Sequence, residues 1–337
     1  MEYAIYVYLA ILTIILAFKG TVKRSKLLDG LLLGSLIVLS FIVRQNPHSD
    51  MIVYISSMRI PLQDLFVNES YLKNIVYWGT SSLLYHWGLS SSVVFYILDI
   101  ASFILLLRAR NIKHIPYYFI PLFYVSFIGI FGIQNIYRQY LATILLIYVY
   151  SIIRDRPLIG YFLFMVAVLI HNSSILMIGA IFIEQHNGVI NKYIYTIGLL
   201  LMMAVAPIVF STDYMFNSGE NYNTLYFLVV LLLTLFIIFT VRLGISSWTE
   251  ALSTLQMPLY FSGLGILSYF SMGTSLFYER VVLLLLPFLL LFVSQLIQLY
   301  KQRRFFNLGL AFILIIPTFT FSATQAMLNN SLFLFDD

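Results

Sequence analysis

The sequence predicts an all-α fold, a polytopic integral membrane helix bundle. Of its 337 residues, 61% are hydrophobic and only 10% are charged, and the mean hydropathy is +0.93. Apolar runs recur along the chain, and each approaches the roughly 20 residues that cross a bilayer as a helix. At that length per crossing we expect about ten full spans in a single transmembrane domain, residues 1–337, plus a re-entrant helical hairpin at 157–183.

The first two spans, at about 3–18 and 27–43, border a basic loop. That loop contains Lys19, Lys23, Arg24 and Lys26. Positive residues concentrate on the cytoplasmic side of membrane proteins, so the loop is predicted inside and the N-terminus outside. The first segment lacks a basic n-region and a small-residue cleavage site, and we therefore expect it not to be a cleaved signal.

Residues 45–90 contain no clear span and are predicted to form an external loop. Charged residues are mixed there with aromatic ones, including Tyr54, Trp78 and Trp87. Because Trp and Tyr favour the headgroup level, we expect one or two interfacial helices. The run at 71–89 is too polar for a full crossing, and the loop is expected to cover a cavity at the outer face.

The remaining spans follow the same apolar pattern, and basic residues mark their inner ends. They are predicted at about 91–107, 115–133, 136–153, 193–210, 224–241, 251–270, 281–299 and 305–323. Arg108, Arg110 and Lys113 mark the inner end of one span, and Lys301, Arg303 and Arg304 do so near the end of the chain.

The segment at 157–183 lies between two basic stretches that the positive-inside rule places inside. Arg154 and Arg156 precede it, and Lys192 follows it. Its length is too short for two crossings, which need about 40 residues. A re-entrant hairpin broken at His171 satisfies the rule. The alternative is one span bent at His171, which inverts everything downstream and puts Lys301, Arg303 and Arg304 outside.

Three arginines are predicted where apolar runs meet the outer face: Arg44, Arg138 and Arg280. Arg138 shares a predicted helical face with Asn135, a spacing at which side chains are neighbours. A guanidinium fork suits a phosphate, whereas the alternative is an arginine that snorkels to headgroups. For Arg280, which follows Glu279, the alternative is a salt-bridged helix start.

His171 is the second unusual residue in an apolar setting, because intramembrane ionisable groups are expensive and often functional. It opens the sequence His171-Asn172-Ser173-Ser174, in which Asn172 or Ser173 is expected to cap a new helix. The start of such a helix attracts anions, and a histidine beside an anion can act as a general base. The alternative is a histidine hydrogen-bonded within the bundle.

Several kinds of chemistry have no motif in the chain. It contains no P-loop, no Gly-rich dinucleotide turn, no HExxH and no cysteine, and its other histidines lack ligand spacing. We therefore expect no metal and no cofactor. The net charge of +5 follows from the basic cytoplasmic loops, and no nucleic-acid partner is expected.

Asn135-x-x-Arg138-Gln139-x-x-Ala142, a basic turn and then His171-x-Ser173 resemble the EpsG-type branch of the Wzy-like polysaccharide polymerases. Asp50-x-x-x-Tyr54 in the external loop and Glu279-Arg280 near a late span are similar to further features of that family. The resemblance spans about residues 40 to 290. One departure is Ser174, where the family usually has alanine.

The resemblance implies an enzyme, a glycosyltransferase that acts at the periplasmic face of the bacterial inner membrane. It would join undecaprenyl-diphosphate-linked oligosaccharide repeat units, as donor and acceptor, into O-antigen, capsule or exopolysaccharide. Within this hypothesis Arg138, Arg280 and Arg44 bind the diphosphate. His171 is the candidate base, with Asp50 or Glu279 as alternatives. Further expected substrate contacts are Asn135, Asp50, Tyr54, Ser173 and Glu279. The bilayer is an expected partner, and a chain-length regulator protein is a further candidate.

Two other function classes remain open at this point. An O-antigen ligase would use similar groups with a different acceptor. A lipid-linked oligosaccharide flippase or another transporter would belong to a different class, although transporters often contain two homologous halves and no internal repeat is visible. A purely structural membrane subunit would leave the outer arginines unexplained.

Overall fold

The computed structural model describes residues 2–45, 49–67, 69–185, 223–244, 248–272, 276–300 and 303–320. These residues are almost entirely helical, which confirms the all-α prediction for this part of the chain. The α-helices are α1 (Glu2–Lys19), α2 (Lys26–Gln45), α3 (Ser49–Met58), α4 (Leu62–Leu65), α5 (Glu69–Leu72), α6 (Ile75–His86), α7 (Ser91–Lys113), α8 (Phe119–Val125), α9 (Phe127–Gln134), α10 (Tyr137–Ile152), α11 (Pro157–Ile170), α12 (Ile178–Gln185), α13 (Asn223–Gly244), α14 (Trp248–Met272), α15 (Leu276–Leu296) and α16 (Arg303–Thr320).

Five of the described helices are long and apolar enough to cross a membrane. They are α1, α2, α7, α16 and the Tyr278–Leu296 part of α15. The predicted spans at these positions agree with the observed helices to within a few residues, and the protein is a multi-pass membrane protein. The predicted span at 193–210 lies outside the described residues, and the count of ten spans stays a prediction.

Helix α10 lies at the centre of the bundle. It packs against α7 and α11, and it also contacts α15. Fourteen of its 16 residues are buried, and the exceptions are Arg138 and Tyr148. A helix that is buried all round is a core helix. The half-buried arginine at its start is therefore the polar exception on an otherwise enclosed element.

The segment at 115–133, which is predicted to be one span, forms two short helices, α8 and α9. Ser126 between them adopts an extended conformation, with ψ 156°, and its hydroxyl donates to the Phe123 carbonyl. Gly129 permits the close approach, since a Cβ there would lie 2.2 Å from the Phe123 carbonyl oxygen. Both helices are buried almost throughout, and this enclosure supports a broken backbone inside the bundle.

The segment at 45–90, called the external segment after its predicted location, contains four helices, α3 to α6, within its described residues, rather than the one or two that the sequence predicts. Helix α6 packs against α3, α4 and α11. Ser82 on α6 donates a hydrogen bond to the Ile60 carbonyl, which ties the segment to itself. The contact with α11 brings the external segment to the histidine-containing part of the fold.

The chain reverses direction at His171, between α11 and a 3₁₀ helix, Asn172–Met177, that leads into α12. Helix α11 leaves the C-terminal end of α10 through a four-residue turn. At the other end of the segment, Glu184 forms an ion pair with Lys113. The Lys113 ammonium lies 4.6 Å from the centre of the Tyr150 ring, near the end of α10. Residues 157–185 therefore leave and return to the same end of α10.

Candidate functional site

His171 occupies the break between α11 and the 3₁₀ helix. Its side chain is 5% exposed, and its backbone is extended, with φ −152° and ψ 119°. The backbone N–H donates to the Ala167 carbonyl and ends α11. The predicted cap by Asn172 or Ser173 is not formed, because no side chain caps the 3₁₀ helix. Ser173 Oγ instead lies 2.6 Å from His171 Nδ1, which holds the ring in one orientation.

Arg138 lies in the first turn of α10, next to aromatic rings of the external segment. Its guanidinium carbon lies 4.8 Å from the centre of the Trp78 ring and 5.7 Å from that of Tyr54. Both aromatic side chains are buried. Rings at these distances favour a cation over their faces. The rings restrict how Arg138 can move while its outer end remains half-buried.

Asn74 connects Arg138 to the histidine break. In the amide orientation that satisfies both of its ends, its nitrogen donates to the Ile170 carbonyl at 3.2 Å and its oxygen accepts from Arg138 Nη1 at 3.0 Å. Ile170 directly precedes His171. The side chain is only 7% exposed, so one buried amide from the external segment spans the arginine and the residue before the histidine.

Arg280 enters from α15. The Gln139 side chain, one residue after Arg138, donates to the Arg280 carbonyl at 2.5 Å. This bond ties the Arg280 backbone to the start of α10, next to Arg138. Glu279 hydrogen-bonds with Tyr226 of α13. The site therefore gathers side chains from α6, α10, α15 and the break after α11.

Several buried polar atoms around these residues have no hydrogen-bond partner. They include Arg138 Nε, Trp78 Nε1, Ser174 Oγ and Gln139 Oε1. A buried polar group without a partner costs about 1–3 kcal/mol, and native proteins keep few of them without a reason. The unpartnered Nε of Arg138 and Nε1 of Trp78, which lie together, could donate to a polar ligand.

Arg44 lies apart from this site. Its Nε and Nη2 donate to the two carboxylate oxygens of Asp99, at 2.8 and 3.0 Å, and its Nη1 donates to the Ile133 carbonyl at 2.9 Å. Since each nitrogen is engaged and the side chain is 6% exposed, the geometry does not bring Arg44 together with Arg138 and Arg280. An aromatic cluster of Tyr137, Tyr77 and Tyr54 connects the two regions.

Of the other residues predicted to contact the substrate, some lie beside Arg138 and His171 and others do not. Tyr54 and Ser173 lie beside Arg138 and His171, as described above. Asn135 is not on the helical face of Arg138, because α10 begins after it; it ends α9 with φ −120° and ψ −67° and is half-exposed. Asp50 belongs to α3, and its side chain lies outside the described part of the structure.

Four residues of this region were missed by sequence reasoning: Asn74, Trp78, Gln139 and Asp99. Asp99 carried a usable signal, since a carboxylate in the middle of an apolar helix is costly without a partner. Asn74 and Trp78 carried none, because polar and aromatic residues are ordinary in an external loop. Gln139 stands next to Arg138 in the quoted motif but had no assigned role.

A model of the EpsG family matches residues 31–335, a range that includes every residue of the site described above. No curated protein and no solved structure matches the chain.

Proposed function

Because the chain belongs to the EpsG family, we propose that this polysaccharide polymerase joins lipid-linked oligosaccharide repeat units by glycosyl transfer. A hydroxyl of the incoming repeat unit attacks the anomeric carbon of the growing glycan. The bond from that carbon to the phosphate oxygen breaks, and undecaprenyl diphosphate leaves with the electron pair. The proton of the attacking hydroxyl passes to a base of the protein.

The observation that carries this proposal is the convergence of one imidazole and two guanidinium groups from three separate elements. Asn74 joins Arg138 to the residue before His171, and Gln139 joins the start of α10 to the Arg280 carbonyl. The buried Nε of Arg138 has no partner. A reaction that expels a diphosphate needs cationic donors where negative charge develops. It also needs a base within reach of the attacking hydroxyl.

His171 is the proposed base. When its Nδ1 donates to Ser173 Oγ, the lone pair of the imidazole lies on Nε2 and can accept a proton. Glu279, the alternative base, already hydrogen-bonds with Tyr226.

Arg138 and Arg280 are the proposed diphosphate ligands. Arg138 presents a half-buried guanidinium whose Nε has no partner, and its plane is supported by Trp78 and Tyr54. Planar guanidinium groups match phosphate oxygens in a bidentate arrangement. Asn135 at the half-exposed turn and Asp50 on α3 remain proposed contacts of the sugar.

The site is proposed to open at the periplasmic face of the bacterial inner membrane, under the external segment of α3 to α6. The reversal at His171 supports a re-entrant hairpin, because both ends of residues 157–185 lie near the Tyr150 end of α10. Helix α11 is 14 residues long, which corresponds to about 21 Å. His171 would then lie in the outer half of a core about 30 Å thick.

The test is complementation of a strain that lacks the gene, followed by separation of its glycan by length. His171→Ala and Arg138→Ala are expected to reduce polymer by at least about 100-fold, since loss of a base or of a charge-stabilising donor has effects of this size. Protein level and export of single repeat units should be unchanged.

Two substitutions in the same external segment serve as controls. His86 and Arg59 are exposed there, and His86→Ala and Arg59→Ala are expected to retain wild-type chain lengths. Normal ladders from both site variants would refute the mechanism. A deletion strain that accumulates polymer on its lipid carrier would instead indicate a ligase, and one that fails to export repeat units would indicate a flippase.

A further inference from the structure

Arg44 and Asp99 form a buried ion pair behind the proposed site. Asp99 is fully buried and Arg44 is 6% exposed, and the two are joined by a bidentate pair of hydrogen bonds. The desolvation of two charges offsets much of their attraction, so such a pair is weak evidence for stability by itself. The contacts that it makes with the rest of the bundle point to a more specific role.

The pair holds the turn between α9 and α10 at both of its ends. Arg44 Nη1 donates to the carbonyl of Ile133, next to last in α9, at 2.9 Å. Tyr137, the first residue of α10, donates its hydroxyl to Asp99 Oδ1 at 2.8 Å. The Arg44 guanidinium also lies over the Tyr137 ring, 4.5 Å from its centre. Residues 134–136 are thereby fixed before α10 begins.

The position of this turn decides where the first side chains of α10 point. Arg138 directly follows Tyr137, and consecutive residues of a helix are separated by about 100° around its axis. A rotation of α10 at Tyr137 therefore changes the direction of the Arg138 side chain. The same rotation moves Gln139, whose side chain donates to the Arg280 carbonyl. Misplacement of a binding group by about 1 Å can cost two orders of magnitude in rate.

We propose that Arg44 and Asp99 are positioning residues, a buried clamp that sets Arg138 through the α9–α10 turn. The clamp rests on the proposed function, since it takes Arg138 as a ligand of the diphosphate. Arg44 acts through Tyr137 and the Ile133 carbonyl and does not touch the substrate. This replaces the expected role of Arg44 as a diphosphate ligand.

Two hydroxyl groups that bind Asp99 provide a matched test. Ser40 Oγ donates to Oδ2 at 2.6 Å and Tyr137 donates to Oδ1 at 2.8 Å, but only Tyr137 belongs to α10. In the complementation assay, Tyr137→Phe is expected to lower polymer per cell about tenfold, the scale of one hydrogen bond to a charged group. Ser40→Ala is expected to stay within about twofold, because its loss removes no contact to the turn.

A second measurement does not depend on activity. The chain has no cysteine, so Asn135→Cys provides a single thiol on the half-exposed turn. Its reaction rate with a maleimide is compared in the Tyr137→Phe and Ser40→Ala backgrounds. The clamp requires a change of several-fold with Tyr137→Phe and none with Ser40→Ala.

A double variant separates positioning from stability. Arg44→Met with Asp99→Leu replaces the pair by apolar side chains, an exchange that is often neutral for stability. Compared at equal level of folded protein, the double variant is expected to make at least tenfold less polymer. The clamp is refuted if Tyr137→Phe and Ser40→Ala behave alike in both assays, or if the double variant polymerises normally. The proposed function is refuted separately, by activity of His171→Ala and Arg138→Ala.

Discussion

Asn74 joins two parts of the proposed site through one buried amide. Its nitrogen donates to the Ile170 carbonyl and its oxygen accepts from Arg138, so it couples the end of α11 to the start of α10. An amide is suited to this position because it provides a donor and an acceptor on one planar group. A carboxylate could accept from the arginine but could not donate to the carbonyl.

Substitution of Asn74 tests this coupling. Asn74→Ala leaves two buried groups unpaired, a cost of about 1–3 kcal/mol, and we expect about tenfold less polymer. Asn74→Asp is expected to be more severe, because its charge would compete with the diphosphate for Arg138. Gln63→Ala, at an exposed position of the same segment, is the control. Polymer yields are compared at equal protein level, and wild-type yield from Asn74→Asp would contradict the assignment.

The elbow between α8 and α9 shows how a single small residue shapes an element. Proline is not the cause of the break, since Pro121 lies in the first turn of α8, where proline is tolerated. The break follows from the extended Ser126 and from the contact that Gly129 permits. A Cβ on Gly129 would lie 2.7 Å from the Tyr124 Cα as well as close to the Phe123 carbonyl, and these are backbone atoms that cannot move aside cheaply.

Gly129→Ala is therefore expected to destabilise the protein, by about 1–3 kcal/mol as for other overpacked cores. The measurement is thermal unfolding of the purified protein in detergent, where the midpoint should fall by a few degrees. Gly34→Ala is the matched control, since a Cβ there meets nothing within 4 Å and alanine favours helix. Equal midpoints for the two variants would show that the elbow tolerates a methyl group.

At the scale of the whole molecule, the reversal at His171 determines which side of the membrane the second half of the chain faces. With a re-entrant hairpin and the four predicted spans between it and α16, the turn after α10 and the start of α16 lie on the same side. With a single bent span they lie on opposite sides. The pairing of Glu184 with Lys113 favours the first arrangement, because it returns α12 to the end of α10 that α11 leaves.

Cysteine labelling tests this orientation in a chain that has no native cysteine. Asp155→Cys and Arg304→Cys occupy exposed positions and are both expected to resist a membrane-impermeant maleimide added from outside. Arg59→Cys in the external segment is expected to react. Labelling of the Arg304 variant without labelling of the Asp155 variant would exclude the hairpin and support the bent span.

Much of the site can be predicted from the sequence, because a charged residue in an apolar run is energetically costly. An arginine or a histidine in an apolar run is expensive wherever it occurs, so Arg138 and His171 are visible from the sequence alone, as is the break that follows the histidine. The same argument applied to Asp99 would have identified it, since it lies within the apolar run of α7. The elbow at Ser126 had no comparable signal, because the residues around it are uniformly apolar.

The sequence by itself determined the membrane class, the family motifs and the residues whose charge needs a partner, because composition and local hydropathy carry that information. Only the tertiary structure decided which partner each charge takes. Arg44 and Asp99 are 55 residues apart in the chain, and Asn74 reaches Arg138 from a different segment. Such pairings depend on how helices pack, and helical periodicity shows which face a residue occupies but not which helix that face meets.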